Sequence, residues 1–283
     1  MKLKNTALVL EGGGFRGMYS AGILDFFLEK NLEFPYVIGV SMGACNAASF
    51  ASKQHGRNLA VPHTYINDRR YISYRRLFTK GELFGMKFIF SEVPQKHIIF
   101  DYETFQNSKT EVVVVVTDCR TGEAEYFNRF TYPILMEALK ASTSLPFVCK
   151  MVRIENRLFL DGGIADSIPY KKAFSDGYKK AVVILTQPED YLKQPVKYTR
   201  QVKLFYRKFP ELAEKIIKRS EYYNESIAEL KQLEAEKKVF IIRPHEKLPI
   251  ERIERNKNNL KKAYDIGYAQ TPEFYKDLIK FCD

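Results

Sequence analysis

Five consecutive valines, Val112 to Val116, lie inside the stretch "TEVVVVVTD" (110–118). A strand with one wet face alternates apolar and polar residues; an unbroken β-branched run leaves no polar face for water. The run predicts a central strand buried on both faces. Neighbouring segments agree. "TALVL" (6–10) reads as a buried strand, and "MYSAGILDFFLEK" (18–30) as a helix with Ile23, Leu24, Phe27 and Leu28 at helical spacing. "YVIGV" (36–40) is a second strand, and "GACNAASFASK" (43–53) a small-residue helix suited to close packing on a sheet. The order strand–helix–strand–helix implies an α/β chain with a parallel sheet.

Further along, "GEAEYFN" (122–128) predicts a hairpin partner for the valine strand, "YPILMEALKAS" (132–142) a helix, and "RLFL" (157–160) and "AVVIL" (181–185) two more strands. After Pro188 the chain becomes more basic, with helical patterns over 200–236 and 250–265 and a strand at "KVFIIRP" (238–244) that completes the sheet. With 283 residues, 45% of them hydrophobic, the chain has enough apolar material for one large domain. The expected organisation is a core over 6–188 and a basic, mostly helical region over 189–283 packed on it.

Composition narrows the classes. Cys45, Cys119, Cys149 and Cys282 are scattered and form no C-x-x-C pair, which points to a reduced intracellular protein. His55, His63, His97 and His245 show no metal-ligand spacing with them, so no zinc site is expected. The first apolar run ends at Glu11, too soon for a signal peptide, and the long uncharged stretch from Phe34 to Ser52 is too polar to span a bilayer. A cytoplasmic protein is expected. Net charge of +11 attracts anionic surfaces, but the basic residues are dispersed among acids and no nucleic-acid motif occurs, so no nucleic-acid partner is expected. In "RRYISYRRLFTKGELFGMKFIF" (69–90), basic and aromatic residues alternate, and a helix is expected over 69–78. Two readings stay open there: a cover helix on the core, or a peripheral contact with an anionic inner-membrane surface.

"EGGGFRG" (11–17) follows the first strand, and Gly12, Gly14 and Gly17 fit G-x-G-x-x-G. A dinucleotide site also wants an acidic residue ending the second strand; that strand ends in Val40–Ser41, and Glu33 precedes it. The alternative use of such a loop is to turn backbone N–H groups toward an oxyanion. "GVSMG" (39–43) matches G-x-S-x-G between a short strand and a small-residue helix, the setting of a nucleophile elbow. Ser41 is then the candidate nucleophile, and Gly39 and Gly43 are needed where side chains collide across the turn. A serine needs a base. A Ser41–Asp161–His245 triad is formally available, but His245 sits in the polar, proline-flanked "RPHEKLP" and reads as a surface residue. Asp161 in "FLDGG" (159–163) ends an apolar strand, with Gly162 and Gly163 opening the chain behind it. Apolar surroundings there would strengthen it as a base.

Taken together, "GGGFRG", "GVSMG" and "DGG" resemble the patatin-like phospholipase family over roughly residues 6–185. "ASTSLP" (141–146) is similar to a further family block, from which Ser144 departs, and "NLKKAYDIGYAQ" (259–270) looks weakly like the tail of bacterial members. The resemblance implies a three-layer α/β/α sandwich with a mostly parallel central sheet. It implies a Ser41–Asp161 dyad without histidine, and an oxyanion hole on the backbone of Gly12, Gly13 and Gly14 with Arg16 nearby. The function expected is hydrolysis of fatty-acyl esters of phospholipids or other lipids without a cofactor. The alternatives are a catalytically weak lipid-binding protein at a membrane surface and a carboxylesterase for soluble esters.

Overall fold

The computed structural model describes residue 3, residues 5–131 and residues 134–283. Among the described residues, eight strands form one mixed sheet: β1 (Thr6–Leu10), β2 (Tyr36–Val40), β3 (Glu111–Asp118), β4 (Ala124–Asn128), β5 (Val152–Ile154), β6 (Arg157–Asp161), β7 (Lys180–Ile184) and β8 (Val239–Ile242). The order across the sheet is β5-β6-β3-β2-β1-β7-β8, with β4 also paired to β3. β3, β2, β1, β7 and β8 run parallel. β4 and β6 run antiparallel to β3, and β5 antiparallel to β6.

Helices α1 (Gly17–Glu29), α2 (Met42–Ala51), α3 (Arg57–Tyr65), α4 (Tyr74–Lys80), α5 (Tyr102–Asn107), α6 (Ile134–Ser142), α7 (Tyr170–Ser175), α8 (Thr199–Phe205), α9 (Pro210–Ala235) and α10 (Lys257–Cys282) complete the fold, with a wide π-helical turn at Phe88–His97. The valine run accounts for the layering. Val112, Val114 and Val116 join a cluster with residues of α1, α2, α3, α6 and α10. Val113 and Val115 join a separate cluster with Tyr170 and Ala173 of α7 and Tyr223 and Leu230 of α9. Each such buried side chain contributes about 1.5–3 kcal/mol, and β3 collects that contribution from both faces. The three-layer α/β/α architecture expected from the sequence is the one observed.

Several boundaries differ from expectation. The helix expected over 69–78 is only α4, because Tyr71 and Ile72 drop into the core and Ile72 bridges Phe84. The pattern over 200–236 is two helices, interrupted before Pro210, which opens α9. The helix expected over 250–265 instead runs from Lys257 to Cys282, through Pro272. An internal proline costs a helix about 3 kcal/mol; here the packing of α10 along α1 offsets it. The two backbones approach so closely that a Cβ on Gly22 would meet the Tyr264 carbonyl oxygen at 2.1 Å, and one on Gly267 the Tyr19 carbonyl oxygen at 2.0 Å. The helix over 132–142 is observed from Ile134; its expected start at Tyr132 and Pro133 lies outside the described residues.

Candidate active site

Ser41 follows β2 directly and is the N-cap of α2. Its backbone has φ 55° and ψ −123°, a region in which a non-glycine residue costs about 1–3 kcal/mol. The turn tolerates no side chains beside it. A Cβ on Gly39 would lie 2.5 Å from the Gly43 carbonyl oxygen, and one on Gly43 would lie 2.6 Å from the Leu10 carbonyl oxygen. This is the strained strand-to-helix elbow expected of G-x-S-x-G. Ser41 is 5% exposed, so its hydroxyl sits at the floor of a crevice.

The strain is held by a side chain that no local sequence signal marks. Ser142, at the end of α6, accepts the Ser41 backbone N–H at 2.8 Å and donates its hydroxyl to the Val115 carbonyl at 2.6 Å. Two residues on, the Ser144 carbonyl accepts the Asp161 N–H at 2.9 Å. The block "ASTSLP" thus contacts both candidate catalytic residues and, through Ser142, ties Ser41 to β3.

Asp161 is 1% exposed. Asp161 ends an apolar strand as expected, but that strand, β6, runs antiparallel to β3. Asp161 still reaches the crevice because β3 extends past its parallel neighbours, and β6 pairs with that extension. Val40 stands opposite Val115, and the next residue of β3, Val116, stands opposite Asp161. Asp161 Oδ1 accepts the Gly163 N–H at 2.8 Å, while Oδ2 is buried with no hydrogen-bond partner. A Cβ on Gly162 would collide with the Val115 carbonyl oxygen at 2.1 Å. The shell is not purely apolar, which corrects an expectation from the sequence. A Cβ on Gly163 would lie 3.0 Å from both Asp161 Oδ1 and Arg219 Nη2, so the Arg219 guanidinium stands just across this glycine from the carboxylate.

The glycine loop leaves β1 beside the elbow. A Cβ on Gly12 would be 3.3 Å from Ser41 Cβ, which sets the loop against Ser41. The three loop amides are not equivalent. Gly12 N–H points to the Ser167 carbonyl at 3.4 Å, a long hydrogen bond, whereas no partner among the described residues takes the N–H of Gly13 or Gly14. Gly14 has φ +58° and is pressed against the Arg252 carbonyl, which accepts the Phe15 N–H at 3.2 Å. Arg16 follows in a short 3-10 turn with its Nε buried and unpartnered, and Gly17 starts α1 against Met42. Glu11 anchors the loop. Its buried carboxylate accepts the Thr186 N–H and hydroxyl beyond β7 and the Tyr223 hydroxyl from α9 at 3.0 Å. Burial and this contact push the Tyr223 phenol up.

On one side of Ser41 opens an apolar chamber, bordered by Phe15, Met42, Ala48, Val61, Phe84 and Leu139 among others. Much of its roof is the 69–90 segment, through Tyr71, Phe84, Met86, Ile89 and Phe90. In that segment Arg76 is spent on the carbonyls of Tyr71 and Leu83, and Arg70 on Asp68 and the face of Phe88. Tyr74 and Phe78 point outward, 51% and 87% exposed. His245 lies on the surface with its ring paired to Glu273 at 3.1 Å. The four cysteines are free. Among the described residues no helix is long and apolar enough to cross a membrane, and no group of three acidic, histidine or cysteine side chains is placed to hold a metal ion.

Comparison with known proteins adds the following. A family model described as patatin-like phospholipase matches residues 8–174, and a second, described as a domain of unknown function (DUF6363), matches residues 209–283. The uncharacterized protein YjjU of Escherichia coli is 30% identical over 203 residues, covering 69% of this chain and 55% of its own length. A probable lipid hydrolase, 463L, of Invertebrate iridescent virus 6 is 22% identical, covering 61% of this chain and 64% of its own. The triacylglycerol lipase ptl3 of Schizosaccharomyces pombe is 26% identical, covering 59% and 42%. The chain spans less than two thirds of the length of each of these relatives.

Proposed function

The chain belongs to the patatin-like phospholipase family, and from that premise we propose that it is a serine acyl hydrolase that cleaves fatty-acyl esters of lipids through Ser41 and Asp161. The observation that supports this reading is an elbow serine and a buried carboxylate with an unpartnered Oδ2 at neighbouring register positions of β3, both contacted by one short block. Ser41 Oγ attacks the ester carbonyl and its proton passes to Asp161 Oδ2. Oδ1 stays fixed by Gly163 N–H. The carbonyl oxygen becomes an anion, and the N–H groups of Gly13 and Gly14 are the loop donors best suited to it; one such donor is worth about 3 kcal/mol of barrier. Gly12 shapes the approach of the loop to Ser41. Asp161 then protonates the leaving alcohol. A water molecule, losing its proton to Asp161, attacks the acyl-enzyme, and collapse of the second tetrahedral adduct returns the proton to Ser41 Oγ.

The chamber is the acyl site in this reading, because its border is mostly apolar, Arg57, Asn58, Thr143 and Arg252 apart, and includes Ser41. The exposed Phe78 and Tyr74 on α4 lie in the same segment as the chamber roof, which favours contact of that segment with the lipid surface from which the substrate comes. Hydrolysis of p-nitrophenyl esters and of phospholipid vesicles by the wild type and by Ser41→Ala tests the proposal. Ser41-dependent turnover of lipid esters supports it; lipid binding without turnover favours a lipid-binding protein instead.

A further inference from the structure

Four cations meet beside the glycine loop, brought there by four separate segments, and one of them, Arg252, also borders the chamber at Ser41. Arg16 comes from the glycine loop after β1, Lys193 from the loop after β7, Arg219 from α9, and Arg252 from the loop after β8. In an α/β sheet the C-terminal ends of parallel strands open into one ligand crevice, and β1, β7 and β8 all end here. The contacts fix the cluster to the catalytic loops. Arg219 Nε donates to the Gly163 carbonyl, and Arg252 packs its Cγ on Gly14 and takes the Phe15 N–H on its carbonyl. The Lys193 ammonium stands 3.8 Å from the centre of the Tyr223 ring, whose hydroxyl reaches Glu11.

All four are half-buried, and none forms an ion pair with a carboxylate among the described residues. Other half-buried cations here have partners: Arg243 pairs with Glu234, Arg157 with Asp118 and Glu125, and Arg57, Arg76 and Arg129 donate to backbone carbonyls. The local carboxylates, Glu11 and Asp161, are outnumbered, and both are engaged in holding the loop or serving Ser41. The cluster is electrostatically costly as it stands. Burial, and then repulsion from Arg219, pushes the Lys193 ammonium well below the usual lysine range; burial and Arg252 lower Arg219 to about 10; burial lowers Arg252 as well. Convergent, desolvated like charges at a crevice mark a site for a ligand of opposite charge. Guanidinium groups match the geometry of phosphate oxygens, and an ammonium adds a point charge.

We propose that Arg16, Lys193, Arg219 and Arg252 form a phosphate subsite that takes the headgroup phosphate of a glycerophospholipid while its acyl chain lies in the apolar chamber. The inference rests on the acyl-hydrolase reading for the identity of the ligand, but not for the existence of the subsite. It makes the chain selective for phosphate-bearing lipids over neutral acylglycerols.

Binding and turnover test it separately. Calorimetric titration of Ser41→Ala with glycerol 3-phosphate, inorganic phosphate and glycerol reads the subsite without any hydrolysis. The two phosphates are expected to bind and glycerol not, with glycerol 3-phosphate the tighter. Adding Lys193→Gln or Arg219→Gln weakens phosphate binding roughly tenfold, the scale of one lost charge-assisted hydrogen bond. Lys197→Gln removes a charge from an exposed position and leaves binding unchanged. Lys193→Gln carries the test if Arg219→Gln disturbs the fold, because the Lys193 ammonium makes no hydrogen bond among the described residues. In the Ser41-intact protein, the ratio of kcat/KM for a short-chain phosphatidic acid to that for the matching diacylglycerol falls about tenfold in Lys193→Gln. Phosphate binding that is absent, or undiminished in Lys193→Gln, overturns the subsite. Binding of inorganic phosphate as tight as that of glycerol 3-phosphate, with no preference for the phospholipid, overturns the headgroup assignment. Absence of all Ser41-dependent hydrolysis, with phosphate binding intact, overturns the hydrolase reading alone.

Discussion

The two walls of the crevice are built from opposite materials. The mostly apolar wall comes from α2, α3, α6 and the 69–90 segment, packed on the same face of the sheet, with Arg57 and Asn58 of α3 its polar exceptions and Arg252 reaching it from the other wall. The cationic wall takes Lys193, Arg219 and Arg252 from the basic region after β7, with only Arg16 from the glycine loop. Apolar side chains hold their positions by excluding water from one another. The cations hold theirs against mutual repulsion, through single contacts to Gly163, Gly14 and Tyr223. An amphiphile with an anionic head satisfies both walls at once, with its ester group over Ser41.

Altering one wall at a time breaks or sharpens this contrast. The largest effect is expected from Val61→Trp, which fills part of the chamber. Excluding about three methylenes at ~0.8 kcal/mol each lowers kcat/KM for long-chain esters roughly fiftyfold and spares acetate esters. An equal loss for both chain lengths would break the assignment of this wall to the acyl chain. Ser142→Ala acts between the walls. It leaves the Ser41 N–H without its 2.8 Å acceptor, a loss of about 1–2 kcal/mol, so kcat falls about tenfold for every substrate whatever its head or tail. A change in selectivity instead would show that Ser142 shapes one wall and does not hold the nucleophile.

The cationic wall also responds to pH. Lys193 faces Arg219, Glu11, Arg252, Arg16 and Tyr223, and its ammonium is held below the usual lysine range. As pH rises through that lowered value the charge is lost. Preference for phospholipid over the matching neutral ester therefore declines several-fold before ordinary lysines titrate, and Lys193→Gln flattens the decline. The smallest effect belongs to the exposed roof. Phe78→Ser reduces co-sedimentation with anionic vesicles about threefold without changing turnover of soluble esters; unchanged co-sedimentation would exclude this contact.

The apolar half was far more legible in the sequence than the cationic half. Val112–Val116 announced a strand with two dry faces, and the glycines around Ser41 announced a turn with no room for side chains, because each signal is local. The tether of Ser41 was hidden, since Ser142 lies 101 residues from it in sequence, and hydroxyls at helix ends are common. The direction of β6 was hidden for a related reason: "RLFL" reads the same in a parallel or an antiparallel neighbour, and only its register on the long β3 brings Asp161 to the crevice. Lys193, Arg219 and Arg252 stand among 45 lysines and arginines with no spacing that marks them. The ends of β7 and β8, together with the course of α9, bring them together. α10 ran past its expected end because Gly267 and Pro272 argue locally against a helix, while close packing on α1 favours it.

The most direct test of the central claim is turnover of one lipid ester by the wild type, Ser41→Ala, Asp161→Asn and His245→Ala, each checked for folding. Loss of about a thousandfold or more in kcat is expected for each of the first two variants, and none for His245→Ala. Full activity in Asp161→Asn, or a collapse in His245→Ala, would contradict the account.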